Sequence, residues 1–153
     1  MKKITPFIWF DNQAEEAMNF YTSIFKSSKK MGVTYYGEGS MMPKGTVMTA
    51  CFELNSQNFV ALNGGPVYSF TPAVSFAVEC ENQEEIDYYW EKLSEGGKDF
   101  RCGWLTDKFG VTWQVFPKNI SELIVHDDPE KASRAITALM QMEKIDIIKL
   151  KDA

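Results

Sequence analysis

Few side chains in this sequence could support nucleophilic, acid–base or metal chemistry. His126 is the only histidine among 153 residues, so the chain cannot build a metal site from two of its own imidazoles. A Ser-His-Asp or Cys-His site would have to use that residue alone. Because His126 lies just before Asp128 and Pro129, which predict the start of a helix, we expect it to be a solvated loop residue.

The cysteines offer little more. Cys51, Cys80 and Cys102 are an odd number, are widely spaced and contain no Cys-x-x-Cys pair. They therefore fit neither a zinc site nor a disulfide framework, and free thiols in a reducing compartment are expected. A nucleophilic thiol needs a neighbouring base or positive charge, and Arg101 and Lys108 keep that hypothesis open for Cys102.

The composition indicates a folded domain with an acidic surface. The chain is 44% hydrophobic and 14% aromatic, and its 16 Lys and Arg against 21 Asp and Glu give a net charge of −5. Since no basic run is present, we expect binding to neither nucleic acid nor membranes. No apolar stretch reaches the ~20 residues of a membrane span, and the first residues carry no signal-peptide pattern. A cytoplasmic protein is expected.

Two segments of the chain resemble each other. Asn12 stands three residues before Glu15, and Asn82 stands three residues before Glu85, 70 positions further on. Each pair has the spacing of a helical capping box, and apolar residues follow at helical spacing in both segments. The pattern favours an internal duplication.

Strand patterns surround each predicted helix, so that each half has the order β-α-β-β-β. The expected strands cover residues 4–10, 31–36, 47–54 and 57–63 in the first half and 73–80, 99–102, 103–106 and 111–116 in the second. The predicted organisation is a single domain, 1–153, with module 1 at about 1–66, module 2 at about 71–118 and a helical tail at about 120–153. Asp128 and Pro129 predict the start of the tail's main helix.

Paired modules of this kind in a chain of this size resemble the vicinal oxygen chelate superfamily, which includes glyoxalases, bleomycin-resistance proteins and extradiol dioxygenases. The sequence is most similar to the PhnB-like branch, whose domains are often labelled 3-demethylubiquinone-9 3-methyltransferase. The residues that carry the resemblance are Ile4-Thr5-Pro6-Phe7-Ile8-Trp9-Phe10-Asp11, Ala17-Met18-Asn19-Phe20-Tyr21, Ala61-Leu62-Asn63-Gly64-Gly65-Pro66 and Cys102-Gly103-Trp104-Leu105-Thr106-Asp107-Lys108-Phe109-Gly110-Val111-Thr112-Trp113-Gln114.

The resemblance implies an α+β glyoxalase-like fold in which each module forms a curved mixed sheet, or half-barrel, with helices on the convex side and ligands on the concave side. Metal-using members place His or Glu at four strand positions. These fall near Pro6 (or Phe7), and at Ala61, Ala73 and Gln114. Because only Gln114 has a side-chain donor atom, and an amide is a weak ligand, we expect no metal and no cofactor.

The same strand phases predict which residues face a ligand. In the predicted strand 57–63 they place Val60 and Leu62 toward the helix and Phe59, Ala61 and Asn63 toward the pocket. In the predicted strand 47–54 they place Thr49, Cys51 and Glu53 toward the pocket. The catalytic candidates are Gln114, Cys51 and Glu53. The predicted ligand-binding residues are Trp9, Thr49, Phe59, Asn63, Ser75, Cys102, Trp104, Gln114 and Phe116.

Three functions remain open at this point. The first is metal-free binding of a small apolar or aromatic molecule, because apolar walls with sparse polar anchors are typical of such sites. The second is a glyoxalase-like or methyltransferase-like enzyme, as the family label suggests, although Gly64-Gly65 opens no helix as a Rossmann cofactor turn would. The third is a structural or regulatory homodimer with a vestigial pocket. Open sheet edges predict a homodimer in each case.

Overall fold

The computed structural model describes residues 4–153, and the chain divides into two compact units, Met1–Ser69 and Phe70–Ala153. Residues 1–3 lie outside the described part. The expectation of no signal peptide concerns the segment that these residues begin. Within residues 4–153, none of the helices has the length and apolar character needed to span a bilayer.

The first unit is one helix packed on a four-stranded mixed sheet. Its elements are β1 (Phe7–Phe10), α1 (Ala14–Ile24), β2 (Ser28–Tyr35), β3 (Val47–Leu54) and β4 (Gln57–Asn63). The strand order is β1-β4-β3-β2, with β1 parallel to β4 and the other pairs antiparallel. Phe10, Tyr21 and Phe52 are fully buried between α1 and the sheet, so burial of one apolar face holds this unit together.

The second unit repeats this topology. Its elements are β5 (Phe76–Cys80), α2 (Gln83–Ser94), β6 (Lys98–Asp99), β7 (Trp104–Thr106) and β8 (Thr112–Pro117). The order β5-β8-β7-β6, with β5 parallel to β8, matches the first sheet strand for strand. The predicted β-α-β-β-β repeat and the α+β fold class are therefore confirmed. In the described residues, neither sheet closes into a barrel.

The two helix starts differ from the prediction in one respect. The Asn82 side chain accepts a hydrogen bond from the Glu85 backbone N–H at 3.0 Å, as predicted. Asn12 does not cap α1, because the cap position is Gln13 and makes no side-chain hydrogen bond. Instead Asn63, at the end of β4, accepts from the Ala14 N–H at 2.8 Å. A residue 49 positions away satisfies the orphan donor, which local sequence patterns do not reveal.

The C-terminal tail forms three helices: α3 (Ile120–Ile124), α4 (Pro129–Gln141) and α5 (Ile147–Lys151). Asp128 caps α4 as predicted, accepting from the Glu130 N–H at 2.9 Å. The helices enclose a small apolar cluster of Leu123, Ile145 and Leu150. The tail is thus folded against the second sheet within its own unit, while the apolar Ile136 on α4 remains about half exposed.

Gln83, at the start of α2, links this helix to the tail. Its side-chain amide donates to the Ile145 carbonyl at 3.0 Å and accepts from the Ile147 N–H at 2.9 Å. Lys144 adds an ion pair with Asp87 at 2.7 Å. That contact and the Gln83 amide hold the pKa of Asp87 below its usual value.

We expect Gln83→Ala to lower the free energy of unfolding by about 1–2 kcal/mol, because it leaves two half-buried backbone groups without partners. Amide hydrogen exchange should accelerate most in residues 144–150. Gln13→Ala is the matched control, since Gln13 is the equivalent position of the first unit and its side chain caps nothing. Equal effects of the two substitutions would contradict a specific role for Gln83.

Candidate functional site

The open face of the first sheet, opposite α1, carries Trp9, Thr49, Cys51, Val60 and Leu62, all partly exposed. The strand register places Trp9 beside Leu62 and Leu62 beside Thr49. The Thr49 hydroxyl also shares a 2.6 Å hydrogen bond with the hydroxyl of Thr34 on β2. The predicted face of β3 is correct, and Trp9 and Thr49 share this surface.

The predicted face of β4 is wrong. Phe59, Ala61 and Asn63 are buried on the α1 side, where Phe59 stacks on Phe52 with ring centroids 5.5 Å apart. The two-residue turn at Asn55-Ser56 pairs Phe52 with Phe59 and Ala50 with Ala61. Because paired residues share a face, fixing the β3 face also fixes the β4 face, and Val60 and Leu62 become the outward residues.

Asn63 is consequently a structural residue and does not face a ligand. Its carboxamide oxygen accepts from Ala14 N, and its Nδ2 donates to the Val47 carbonyl at 3.0 Å. The side chain therefore links the start of α1 to the start of β3. Because both ends of the amide are hydrogen-bonded, the Asn63 side chain can be buried, with only 6% of its surface exposed.

Trp9 is a fixed aromatic platform on the open face. Its indole Nε1 donates to the Gly65 carbonyl at 2.9 Å, and its ring meets Tyr68 edge-to-face with centroids 5.1 Å apart. A Cβ on Gly64 would lie 2.2 Å from the indole Cζ2. The Gly64-Gly65 pair after β4 thus provides space for the indole and opens no cofactor-binding helix.

Cys51 and Glu53 do not form a nucleophile–base pair. Glu53 Oε1 lies 3.4 Å from the Nζ of Lys29 in a partly exposed ion pair, and Cys51 is half-buried. The thiol of Cys80 is fully buried. Burial raises its pKa to about 12, with a smaller contribution from Glu85. Such a thiol stays protonated at neutral pH and is a poor nucleophile.

The open face of the second sheet centres on Gln114. Its neighbours in register are Ala77 on β5 and Trp104 on β7. The Gln114 Nε2 donates to the Ser75 hydroxyl at 2.8 Å. Ser75, Trp104 and Gln114, all predicted from the sequence, therefore lie together on one partly exposed surface.

Beside Trp104 lies an open cavity of about 380 Å³, which we call the hairpin groove. It is lined by Pro72, Phe100, Arg101, Cys102 and Trp104. The residues between β6 and β7 form it through a tight turn, in which the Phe100 N–H donates to the Trp104 carbonyl at 2.8 Å. Cys102 has a positive φ of 61° there, which is rare for a residue other than glycine.

Hydrogen bonds from the turn to the C-terminal tail hold the turn in place. The Cys102 N–H donates to the Met142 carbonyl at 2.8 Å, and the Gly103 N–H donates to the Glu143 carbonyl at 2.7 Å. The Cys102 Sγ lies 3.5 Å from the Met140 Sδ. The position of the groove wall therefore depends on residues 140–143.

Phe116 has a different environment from the one predicted. It is partly buried against the apolar cluster of Leu123, Ile145 and Leu150, so it joins the sheet to the tail at the end of β8. The prediction from strand phase gave the correct face, but the docking of the tail onto that end was not visible in the sequence.

Asp107, which belongs to the Cys102–Gln114 motif, is a buried carboxylate. One oxygen accepts from the N–H groups of Phe109 and Val111 at 2.9 and 3.0 Å, and the other accepts from the Trp113 indole at 2.9 Å. Its 2% exposure excludes a ligand from its carboxylate. The Asp107-to-Trp113 motif therefore shapes the loop that joins β7 and β8.

The residues of this chain do not fit the metal sites of the superfamily. Within residues 4–153 there is no group of three or more His, Cys, Asp or Glu side chains placed to hold a metal ion. His126 lies in the tail, with Nε2 3.1 Å from the Leu123 carbonyl. Pro6, Ala61 and Ala73 carry no donor atom, and the outward residue of β4, Leu62, carries none either.

Sequence comparison supplies the family. Residues 2–116 match the family described as 3-demethylubiquinone-9 3-methyltransferase. The chain belongs to this family. It is thus a member of the PhnB-like branch of the vicinal oxygen chelate superfamily, as the sequence motifs indicated. The family match ends at Phe116, so helices α3 to α5 lie outside it.

Solved structures agree with this assignment. A putative 3-demethylubiquinone-9 3-methyltransferase, PhnB protein, from Bacillus cereus is 41% identical with a TM-score of 0.69, and the match covers 76% of this chain and 99% of that one. Protein PA1353 from Pseudomonas aeruginosa shares the fold at 21% identity and a TM-score of 0.65, covering 77% of this chain and 98% of that one. Among curated proteins, no sequence matches.

Proposed function

We propose that this PhnB-like protein binds a small, planar, apolar or aromatic molecule without a metal ion, with the hairpin groove as its principal site. The observation that carries the proposal is the open cavity of about 380 Å³ beside Trp104, whose neighbour in register is Gln114. Cavities of about 300–1,000 Å³ with apolar walls and few polar groups are typical of small-molecule sites.

The walls and the polar group have separate roles in this proposal. Phe100, Trp104 and Pro72 give the groove apolar walls, two of them aromatic, which favours contact with an aromatic ring. The Gln114 Nε2 is engaged with Ser75, and no described residue donates to its carboxamide oxygen, which is therefore available to accept from a ligand. One such acceptor on an apolar face orients a ligand without supplying chemistry.

The family name suggests methyl transfer, but the local geometry does not support that activity. A nucleotide-type cofactor turn runs from a parallel strand into a helix, whereas Gly64-Gly65 packs on Trp9 and is followed by residues without helix up to β5. The absence of a suitable donor cluster among residues 4–153 likewise gives no support to the metal-dependent reactions of the superfamily.

The proposal is tested by titrating the protein with a neutral aromatic probe, 2-naphthamide, and measuring its dissociation constant by calorimetry. We expect Trp104→Leu to weaken binding about fivefold, because an aromatic contact contributes about 1 kcal/mol. Tyr35→Leu, on an exposed residue of β2, should leave it unchanged. Equal effects of the two substitutions would contradict the groove as the site.

A second experiment tests whether the protein binds a metal ion. Titration with Zn²⁺ or Mn²⁺ should leave the melting temperature unchanged, since a ligand that binds the native state raises it. A rise of several degrees at a small molar excess of either metal would contradict the metal-free part of the proposal.

The open sheet edges also support the homodimer that the sequence predicts. β1, β2, β5 and β6 each have one edge without a strand partner in the described residues, and proteins usually cover or pair such edges. Light scattering after size exclusion should give about twice the 17.5 kDa chain mass. A mass of one chain would contradict the homodimer.

A further inference from the structure

We propose that the hairpin groove takes an aromatic carboxylic acid, whose carboxylate is bound by the guanidinium of Arg101. This inference rests on the proposed function, because it names the ligand class of the same groove. It is drawn from the positive charges of Arg101 and Lys98, which lie near the apolar walls of the groove.

Arg101 is the polar member of an otherwise apolar lining. It lies in the turn between Phe100 and Cys102, its side chain is exposed, and it lines the groove. No described residue forms an ion pair with it. The chain has a net charge of −5. An unpaired guanidinium beside aromatic walls therefore favours the binding of an anionic ligand in this groove over a neutral one.

A second cation lies on the same face. Lys98 on β6 pairs in register with Thr106, which is two residues along β7 from Trp104 and so shares its face. Asp99 pairs with the buried Leu105 and belongs to the opposite face. The outward carboxylate of the sheet is that of Glu79 on β5, which lies two strands from Trp104 on β7, or roughly 10 Å for ordinary strand spacing. Lys98 and Arg101 therefore place two positive charges near the groove, while the acidic residue nearest along the tail is the exposed Glu143, whose carbonyl accepts from the Gly103 N–H.

The shape of the groove favours a carboxylate over a phosphate. Arg101 presents one planar fork, which matches the two oxygens of a carboxylate. Dianionic phosphate sites usually add several backbone N–H groups or a helix N-terminus. No helix begins among the residues that line this groove, and the N–H groups of Phe100 and Cys102 are already bonded to the carbonyls of Trp104 and Met142. Phe100 and Trp104 would hold the aromatic body while Arg101 holds the acid group.

The test compares 2-naphthoic acid with its neutral isostere 2-naphthamide by calorimetry on the full-length protein at low salt. We expect the acid to bind at least about tenfold more tightly, since charge-assisted hydrogen bonds exceed neutral ones. Arg101→Gln should remove this preference and leave the affinity for the amide unchanged. Arg101→Lys should retain part of it, because the charge remains but the fork is lost.

The matched control is Arg134→Gln, because Arg134 is the only other arginine and its Nε donates to the Ala153 carbonyl in the tail. It should leave the preference for the acid intact. Equal binding of acid and amide, or an unchanged preference in Arg101→Gln, would overturn the assignment of Arg101 while the proposed function stands. Tighter binding of 2-naphthyl phosphate than of the acid would overturn the carboxylate assignment. Binding of none of the probes at millimolar concentration would overturn the proposed function and this inference together.

Discussion

Replacing Asp107 with alanine is expected to lower the free energy of unfolding by about 3–4 kcal/mol. Its buried carboxylate accepts from the backbone N–H groups of Phe109 and Val111 and from the Trp113 indole. Alanine would leave these donors without an acceptor, two of them buried and that of Phe109 partly buried. Loss of one member of a buried charged network costs more than an ordinary hydrogen bond. Urea denaturation followed by circular dichroism measures the change.

Two further variants test whether the loss of stability comes from the hydrogen bonds of Asp107. Trp113→Phe removes one of the donors and keeps most of the aromatic volume, so a loss of about 1–2 kcal/mol is expected. Asp99→Ala removes an exposed carboxylate and should change stability by less than about 0.5 kcal/mol. If Asp107→Ala and Asp99→Ala proved equally mild, the loop would not depend on the buried carboxylate.

Gly103→Ala is expected to cost about 3 kcal/mol and to move the wall of the hairpin groove. Gly103 has a φ of 80°, a conformation that costs an L-residue about 1–2 kcal/mol. A Cβ there would also lie 2.6 Å from the Val115 carbonyl oxygen and 3.0 Å from the Ile145 Cδ1. Because the backbone oxygen belongs to β8, it has little freedom to yield.

Gly110→Ala separates the two contributions. Gly110 has nearly the same φ, 88°, but its nearest contact for a Cβ is 3.8 Å, with the Phe70 ring. We expect this variant to lose only the conformational part, about 1 kcal/mol. Thermal unfolding of both variants measures the difference. Equal losses would show that the contacts of Gly103 with β8 and the tail carry no energetic weight.

Most of the fold could be predicted because its signals are local. The Asn82 cap, the Asp128-Pro129 helix start and the alternation in β3 each depend on residues within one or two turns of chain. The cap of α1 could not be predicted in this way, because Asn63 reaches it from the end of β4. The face of β4 was predictable in principle, since the two-residue turn at Asn55-Ser56 fixes its register to β3.

The candidate site was predicted less completely than the fold. Ser75, Trp104 and Gln114 share a face because strand alternation determines it. Arg101 was noted only as a neighbour of Cys102, since the turn that brings it into the groove depends on positive φ at Cys102 and Gly103. The support from Met142 and Glu143 depends on how the tail docks, which no short-range pattern encodes.

The most direct test of metal-free binding in the hairpin groove is a two-dimensional ¹H–¹⁵N NMR titration with 2-naphthamide, recorded before and after exhaustive treatment with EDTA. We expect saturable shifts of the amides of residues 100–104 and of the Gln114 side chain, identical with and without the chelator. Shifts that vanish after EDTA treatment, or that leave residues 100–104 unperturbed, would contradict it.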